Sequence, residues 1–572
     1  TKMKKEIILG INYGAHDTSA AIGINGLIVS ACEQERFDGN KHSRQFPLDA
    51  INECLKIANI KLDEVSEIAL TADHAELVKK FYLQRAIKEF STVNFLINDI
   101  EKIKFFVNFK DIVRKKLNFK KKITSFRHHL CHVASAYYPS GFDKTLILSN
   151  DGMGEFETGL VCSGNKGKIK ILEKGPEYPN SLGLIYSAIT YFLGWKHHCD
   201  EGIVMGLAPL GNYNNKINGQ KYIDIFRKII KHKENFNYEI DKDWIAYHLK
   251  RDVWVSKKFI KIFGKKREYG SKILKKHKDI AAALQKRIEE ITIKSLTQLK
   301  KKYKYNKLCI AGGVGLNCSL NGKIEASKLF DKIFVQPASS DAGAALGAVY
   351  CAFSKNNPKF LRKKNKISHY LGSRYNDKDI LKILKNKKIS FVKSKNVSTD
   401  TAQFLEKGKI IAWFQGASEF GPRSLGNRSI LCKPYPANIK DHVNKRVKFR
   451  ENFRPFAPSI LTEDLKNYFE IKQESPHMLI ACKVKKDKKK IIPATVHIDN
   501  TCRVQSVSKN TNLKFYELLN SFKKKTGCPV LLNTSFNIKG QPMVNNPSQA
   551  IDTFLKTNID VLVLHDFILK KN

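Results

Sequence analysis

An apolar run that ends in a polar, glycine-containing turn and then returns as a second apolar run occurs twice in this chain. This repeat constrains the fold more than any other feature of the sequence. The first copy is Ile7-Ile8-Leu9-Gly10-Ile11-Asn12-Tyr13-Gly14, a turn carrying His16 and Asp17, and a strand through Ile24. Asn25-Gly26 then sends the chain back into Leu27-Ile28-Val29, a strong hairpin signal. The second copy is Thr145-Leu146-Ile147-Leu148-Ser149-Asn150, ending in Asp151-Gly152-Met153-Gly154 and followed by a strand through Val161. Two such units predict a two-lobed α/β fold in which related sheets face each other across a nucleotide cleft. A third glycine turn, Ala311-Gly312-Gly313-Val314-Gly315-Leu316-Asn317, follows the strand Lys307–Ile310 and opens a helix. That arrangement presents backbone N–H groups to phosphates, which makes Gly312, Gly313 and Asn317 candidate nucleotide contacts.

At 572 residues the chain exceeds what one core can hold, about 250–300 residues, so two large domains are expected. The lysine-rich stretch with Asn356-Asn357-Pro358 is the best linker candidate. It divides the chain into a first domain at 1–355, a linker at 356–368 and a second domain at 369–572. Within the first, residues of about 210–280 read as a mostly helical insertion, followed by an amphipathic helix from Asp279 to Leu299. No apolar stretch approaches the roughly 18 residues that span a bilayer, and no signal peptide is indicated. The twelve cysteines form no CxxC pair and several lie in apolar strands, so buried free thiols in a reducing, cytoplasmic setting are expected.

Lys and Arg number 101 against 54 Asp and Glu, leaving +47. Such a balance marks either a polyanion-binding face or a lysine-rich solvated surface. The excess lies in short clusters such as Lys120–Lys122 and Lys488–Lys490 without a basic tail, which favours the solvated surface over a nucleic-acid partner.

Two sets of residues carry chemistry. His128 and His132 stand four apart in a helix-like segment, so both imidazoles share one face and can grip one ion. The alternative is a packed pair, and His129 and Cys131 compete as ligands. Asp151 and Asp341 sit in turns after apolar strands, where a carboxylate can project into a cleft. Two imidazoles with two carboxylates favour Fe, Mn or Zn over Ca. The second set is Gly416–Leu431, Lys448–Pro458, Arg503 and the loop Leu532–Asn537, where cations lie among glycines, aromatics and prolines. As a group they suit a pocket for several phosphates, because guanidinium forks pair with phosphate oxygens.

His128-His129-Leu130-Cys131-His132-Val133-Ala134-Ser135-Ala136, Asp151-Gly152, Val204-Met205-Gly206-Leu207-Ala208-Pro209, Gly312-Gly313-Val314 with Leu316-Asn317, and Asp341-Ala342-Gly343 occur in this order. In wording and order they resemble the nodulation-protein-U and cephamycin-type O-carbamoyltransferase family over nearly the whole chain. The resemblance implies an N-terminal actin-like ATPase-type domain similar to the threonylcarbamoyl transferases and a C-terminal YrdC-like α/β domain. It further implies a metal, Fe2+ foremost, on His128, His132, Asp151 and Asp341, with His16 acting near the acceptor hydroxyl. Arg423, Lys448, Arg454, Arg503 and Ser535, with Asn537, are implied as binders of carbamoyl phosphate and ATP with Mg2+. One departure stands out. Glu201-Gly202-Ile203-Val204-Met205 places an isoleucine where the family pattern leads one to expect a lysine.

The reaction so implied makes carbamoyl adenylate in the second domain and transfers the carbamoyl group to a small-molecule hydroxyl in the first. Arg423 and Lys448 serve the first step and His16 the second. The competing expectation is an RNA-binding enzyme of the tRNA threonylcarbamoyl-adenosine type, encouraged by the +47 charge. The determinants of acceptor choice are expected in the insertion. A symmetric homodimer is the common state of an intracellular enzyme of this size.

Overall fold

The computed structural model describes residues 5–361 and 368–571, which form two compact α/β units. The first unit holds residues up to Val29, Arg44–Pro47 and Ala58 onward through the first domain. The second holds Ser30–Ser43, Leu48–Ile57 and the chain from Ser368. Residues 30–43 and 48–57 thus pack with the second unit although they precede most of the first in sequence. Of the expected linker, Pro358–Leu361 form a 3-10 turn whose Phe360 lies against Gly26, while 362–367 fall outside the described residues.

The duplicated sequence pattern becomes a duplicated sheet. The first sheet contains β1 (Ile7–Asn12), β2 (Ser19–Ile24), β3 (Leu27–Glu33), β4 (Glu67–Leu70) and β5 (Lys122–Ser125), in the order β3-β2-β1-β4-β5. The second contains β6 (Lys144–Asn150), β7 (Gly159–Asn165), β8 (Lys168–Lys174), β9 (Lys307–Ala311) and β10 (Lys332–Val335), in the matching order β8-β7-β6-β9-β10. In both, the first strand pairs antiparallel with the second and parallel with the fourth. β1 and β6 are buried along nearly their whole length, as unbroken Ile/Leu runs require when both faces of a sheet are covered.

A helix follows the fifth strand of each sheet: α1 (His128–Ser140) after β5 and α3 (Asp341–Asn356) after β10. These two helices pack against each other so closely that a Cβ at Gly347 would stand 1.7 Å from the Cys131 carbonyl oxygen. Gly10 and Gly23 let α3 approach the first sheet in the same way. Only glycine permits such contact, because any side chain would drive the backbones apart.

The insertion corrects the expectation of a mostly helical segment. Its α-helices are Tyr222–Ile229 and Lys257–Phe263; one small antiparallel ribbon precedes the first of them, and a second ribbon and a 3-10 turn at Lys242–Trp244 lie between the two. Asn218-Gly219, both left-handed at φ 48° and 77°, turn the first ribbon, a local hairpin signal that outweighs helical composition. The amphipathic helix α2 runs Lys275–Tyr303, longer at both ends than its periodicity suggested.

The second unit is built on an eight-stranded sheet. Its strands are β11 (Val392–Lys393), β12 (Ile411–Phe414), β13 (Arg428–Cys432), β14 (Ala457–Leu461), β15 (Gln505–Val507), β16 (Val530–Ser535), β17 (Val561–Leu564) and β18 (Phe567–Lys570). The order is β11-β18-β17-β12-β13-β16-β14-β15. All twelve cysteines are free and eleven are buried. No described helix is long and apolar enough to cross a membrane.

Candidate functional sites

The first site forms where the duplicated halves meet. Helical spacing brings His128 Nε2 and His132 Nε2 to 3.0 Å, and both face Asp151 Oδ2 at 3.0 and 3.2 Å. Asp341, the first residue of α3, places Oδ1 3.5 and 3.6 Å from the same nitrogens. All four side chains are buried. Asp151 begins the turn after β6, and its other oxygen, Oδ1, accepts the Gly313 N–H at 2.9 Å. Glu155 accepts the His128 backbone N–H at 2.8 Å, which fastens the start of α1.

The ambiguity among histidines disappears. His129 engages Ser149 Oγ through Nδ1 at 2.9 Å and the Glu157 carbonyl through Nε2 at 2.8 Å, so neither nitrogen faces the cluster. Cys131 turns its thiol to Cys351 of α3. The remaining four donors fit a divalent ion. Ligand bonds of about 2.1 Å put neighbouring donor atoms about 3.0–3.4 Å apart in octahedral or tetrahedral geometry. The separations of 3.0–3.6 Å around His128 and His132 lie close to that range.

The four side chains also set one another's proton affinity. Burial pulls the His128 imidazole down, but Asp341 and Asp151 outweigh it and hold its pKa well above the ordinary value. Burial and the His128 charge lower His132, yet the two carboxylates leave it raised. Asp151 is held well below the usual carboxylate range against burial by hydrogen bonds from the two imidazoles, and Asp341 is lowered by His128. Raised imidazoles contribute stability that is full below about pH 6.5 and is lost as pH rises through their folded values. The depressed carboxylates contribute stability that is lost only in acid. A cation must displace the imidazole protons, so its binding strengthens as pH rises. The Tm gain on adding Mn2+ to chelator-treated protein is therefore expected to be larger at about pH 8 than at about pH 6. An equal gain at both pH values would mean that the ion sits elsewhere.

His16 lies in the turn after β1, the counterpart of the Asp151 turn after β6. Asn12 closes this turn, its amide donating to the His16 and Asp17 carbonyls at 3.3 and 2.9 Å. His16 Nδ1 stands 3.4 Å from Asp17 Oδ2, its ring stacks on His198 at 5.7 Å, and its charge lowers the Asp341 pKa. The glycine turn makes structural contacts of its own. Gly312, at φ +89°, packs against the Asn150 backbone, and the Gly313 N–H is taken by Asp151. Asn317 caps the helix Cys318–Ala326 through the Leu320 N–H and pairs with Gln285. All three residues therefore also help to shape the first site. Ile203 is buried in the helix Glu201–Leu207 and supplies no cation there.

The second site lies wholly in the second unit. Lys448, 4% exposed, donates from Nζ to the Ser535 carbonyl at 2.9 Å and hydroxyl at 3.2 Å. It also reaches the Asn537 carbonyl at 3.1 Å and Oδ1 at 2.5 Å. Three residues expected to bind ligand are thereby joined directly. Burial, then Arg450, Arg454 and Lys41, drive the Lys448 pKa well below its ordinary value. Arg450 is lowered likewise by burial and by the charges of Arg454, Arg503 and Arg423, with Glu451 opposing. Six Arg and Lys side chains thus crowd one region, an arrangement that an anion relieves.

Arg450 joins this cluster although its place in Lys448-Phe449-Arg450 does not single it out from the other cations of Lys448–Pro458. The signal lay in the backbone. Residues 444–448 form a π-helical turn and Phe449 is left-handed at φ 47°, an unusual state for an exposed aromatic that is common at functional sites. Arg428, in the same glycine-rich run, is instead structural. Its guanidinium donates to the Gln415 and Ser373 carbonyls at 2.6 and 3.0 Å and covers the Phe414 ring. Glu419 completes this scaffold by accepting the N–H groups of Leu425, Asn427 and Arg428.

Residues 7–350 match the family model described as Carbamoyltransferase N-terminus, and residues 402–571 match Carbamoyltransferase C-terminus. Nodulation protein NolO of Bradyrhizobium diazoefficiens is 38% identical over 450 residues, covering 78% of each chain. Nodulation protein NolNO of Sinorhizobium fredii is 35% identical, covering 98% of this chain and 80% of its own. An uncharacterized Synechocystis protein is 34% identical, covering 99% of this chain and 96% of its own. Among solved structures, full-length HypF in its phosphate- and nucleotide-bound form aligns at 13% identity with a TM-score of 0.31, over 62% of this chain and 57% of that one.

Proposed function

We propose that this chain, which belongs to the carbamoyltransferase family and is a carbamoyltransferase, makes carbamoyl adenylate in its second unit and transfers the carbamoyl group to an alcohol in its first. One observation carries this reading. The two sets of residues form two separate constellations, one of imidazoles and carboxylates and one of cations, each inside its own compact unit.

In the second unit, carbamoyl phosphate is hydrolysed to carbamate and phosphate. A carbamate oxygen then attacks the α-phosphorus of ATP, carried with Mg2+, and releases pyrophosphate. Lys448, Arg450, Arg454, Arg503 and Arg423 stabilise the charge on the phosphoryl oxygens, and being fixed beforehand they need no reorganisation as that charge develops. Ser535 and Asn537 hold Lys448 in place.

In the first unit, His128, His132, Asp151 and Asp341 would hold a divalent ion, Fe2+ before Mn or Zn, which as a Lewis acid neutralises phosphate charge. His16 accepts the proton of the attacking hydroxyl, and Asp17 at its Nδ1 steadies the ring. The products are an O-carbamoyl ester and AMP. The duplicated sheets are read as actin-like and the second unit as YrdC-like. The acceptor is a small molecule, and the enzyme works in the cytoplasm as a homodimer.

The test is isotope exchange. With ATP and carbamoyl phosphate, labelled pyrophosphate should enter ATP without any acceptor. His16→Asn should keep this exchange and lose transfer. Loss of both together would show that the two steps are not divided between the units, and absence of exchange in the unaltered protein would remove the adenylate.

A further inference from the structure

Outside the residues assigned so far, a wall of half-buried rings extends from His16. His16 stacks on His198 at 5.7 Å and an interplanar angle of 24°. His198 meets His197 at 4.9 Å and Trp254 at 5.3 Å, and His197 lies 4.5 Å from Trp254. Tyr191 continues the wall, 5.8 Å from His197 and 6.5 Å from Trp254. None of these five rings is fully buried. A lone surface aromatic is ordinary, whereas this run is contiguous and ends on the candidate general base.

The wall is built rather than incidental. His198 is held in a left-handed backbone conformation at φ 56°. Glu201 Oε1 fixes it there by accepting the His198 backbone N–H and the Ser187 hydroxyl, each at 2.6 Å. Burial and the charges of His16, His197 and Arg44 keep its imidazole neutral. Trp254 comes from the insertion, on the strand-like segment that bridges Val255 to Ile245.

Cations frame the rings. Lys266 places Nζ 3.5 Å from the centre of the Tyr191 ring. Arg44, Lys196 and Lys266 all act electrostatically on His197, opposed by Asp252. The insertion's surface groove of about 470 Å³, lined in part by Lys228, Lys231 and Lys258, is different. Its lysines are already engaged, with Gln220, Asp241 and Asp243 respectively.

Resting on the transfer reading above, we infer that the His198–His197–Trp254–Tyr191 wall binds the acceptor, and that this acceptor is an anionic pyranose. The apolar C–H face of a sugar ring lies on the indole and imidazole faces. Its negative group sits toward Lys266, Lys196 and Arg44, and a ring hydroxyl turns to His16.

The experiment uses the full-length protein and three probes: glucuronic acid, glucose 6-phosphate and glucose, with binding followed by saturation-transfer NMR. At least one anionic sugar should bind about tenfold or more tightly than glucose, the carboxylate and phosphate arms showing which anion is preferred. Lys266→Gln should remove most of that preference, and Trp254→Ala should weaken both anionic sugars about tenfold or more. Both variants should keep pyrophosphate exchange at the unaltered rate, and an unaltered Tm gain on adding Mn2+ reports that the first unit, which holds both substitutions, is folded. Glucose binding as well as the anions, no binding by either anion, or indifference to both substitutions would overturn the inference. Missing exchange in the unaltered protein would instead refute the adenylation reading, so the two failures are distinguishable.

Discussion

Lys448→Met is expected to abolish pyrophosphate exchange while leaving the metal centre able to load. The ammonium serves four oxygens, two on Ser535 and two on Asn537. Without it those acceptors lose their donor, at about 1–3 kcal/mol for each one left buried and unpaired. The loop 535–537 then loses its anchor. The cluster also loses one of its donors, and removing one preorganised donor typically lowers a rate by about 10²–10³. Together these should bring exchange to background. Metal content of the purified variant, measured by plasma emission, should match that of the parent because the four ligands lie in the other unit. Wild-type exchange in Lys448→Met would remove this lysine from the reaction.

Asp151→Ala should show the opposite pattern, with exchange preserved and both metal and transfer lost. Asp151 faces both imidazoles with one oxygen and takes the Gly313 N–H with the other, so it joins α1 to the glycine turn after β9. Altering an outer-shell partner already costs about 10–100-fold in metal affinity, and removing a ligand should exceed that. His128 and His132 also lose a carboxylate that keeps their pKa values raised, and return toward the neutral form expected of buried imidazoles. If Asp151→Ala retained a full complement of metal, the two-His, two-Asp centre would be wrong.

The two sites were legible to different depths. His128 and His132 could be proposed from helical spacing alone, but His129 could not be dismissed until its ring nitrogens were seen on Ser149 and Glu157. Gly312, Gly313 and Asn317 had the composition of a phosphate turn. The fold uses that turn to orient Asp151 and to cap a helix, because a backbone N–H goes to whichever acceptor the tertiary structure brings within reach. Arg428 and Arg450 were close to interchangeable as letters. One is enclosed by carbonyl oxygens and the other crowded by cations, a distinction that rests on the left-handed Phe449 and the hairpin register of β12 with β13.

What the sequence determined by itself was local and periodic: the twin strand-turn-strand units, the Asn25-Gly26 hairpin, the shared face of His128 and His132, and the family to which the motifs belong. These depend on side-chain spacing of two or about four residues and on turn chemistry, which act over a few bonds. Only the tertiary structure decided that Asp341 meets Asp151 across 190 positions of chain, that Ser30–Ser43 belongs with the second unit, and that Trp254 continues the wall beginning at His16. The reason is physical: those meetings come from burying apolar faces and from backbone contact at Gly10 and Gly347, and such packing leaves no periodic trace in the order of residues.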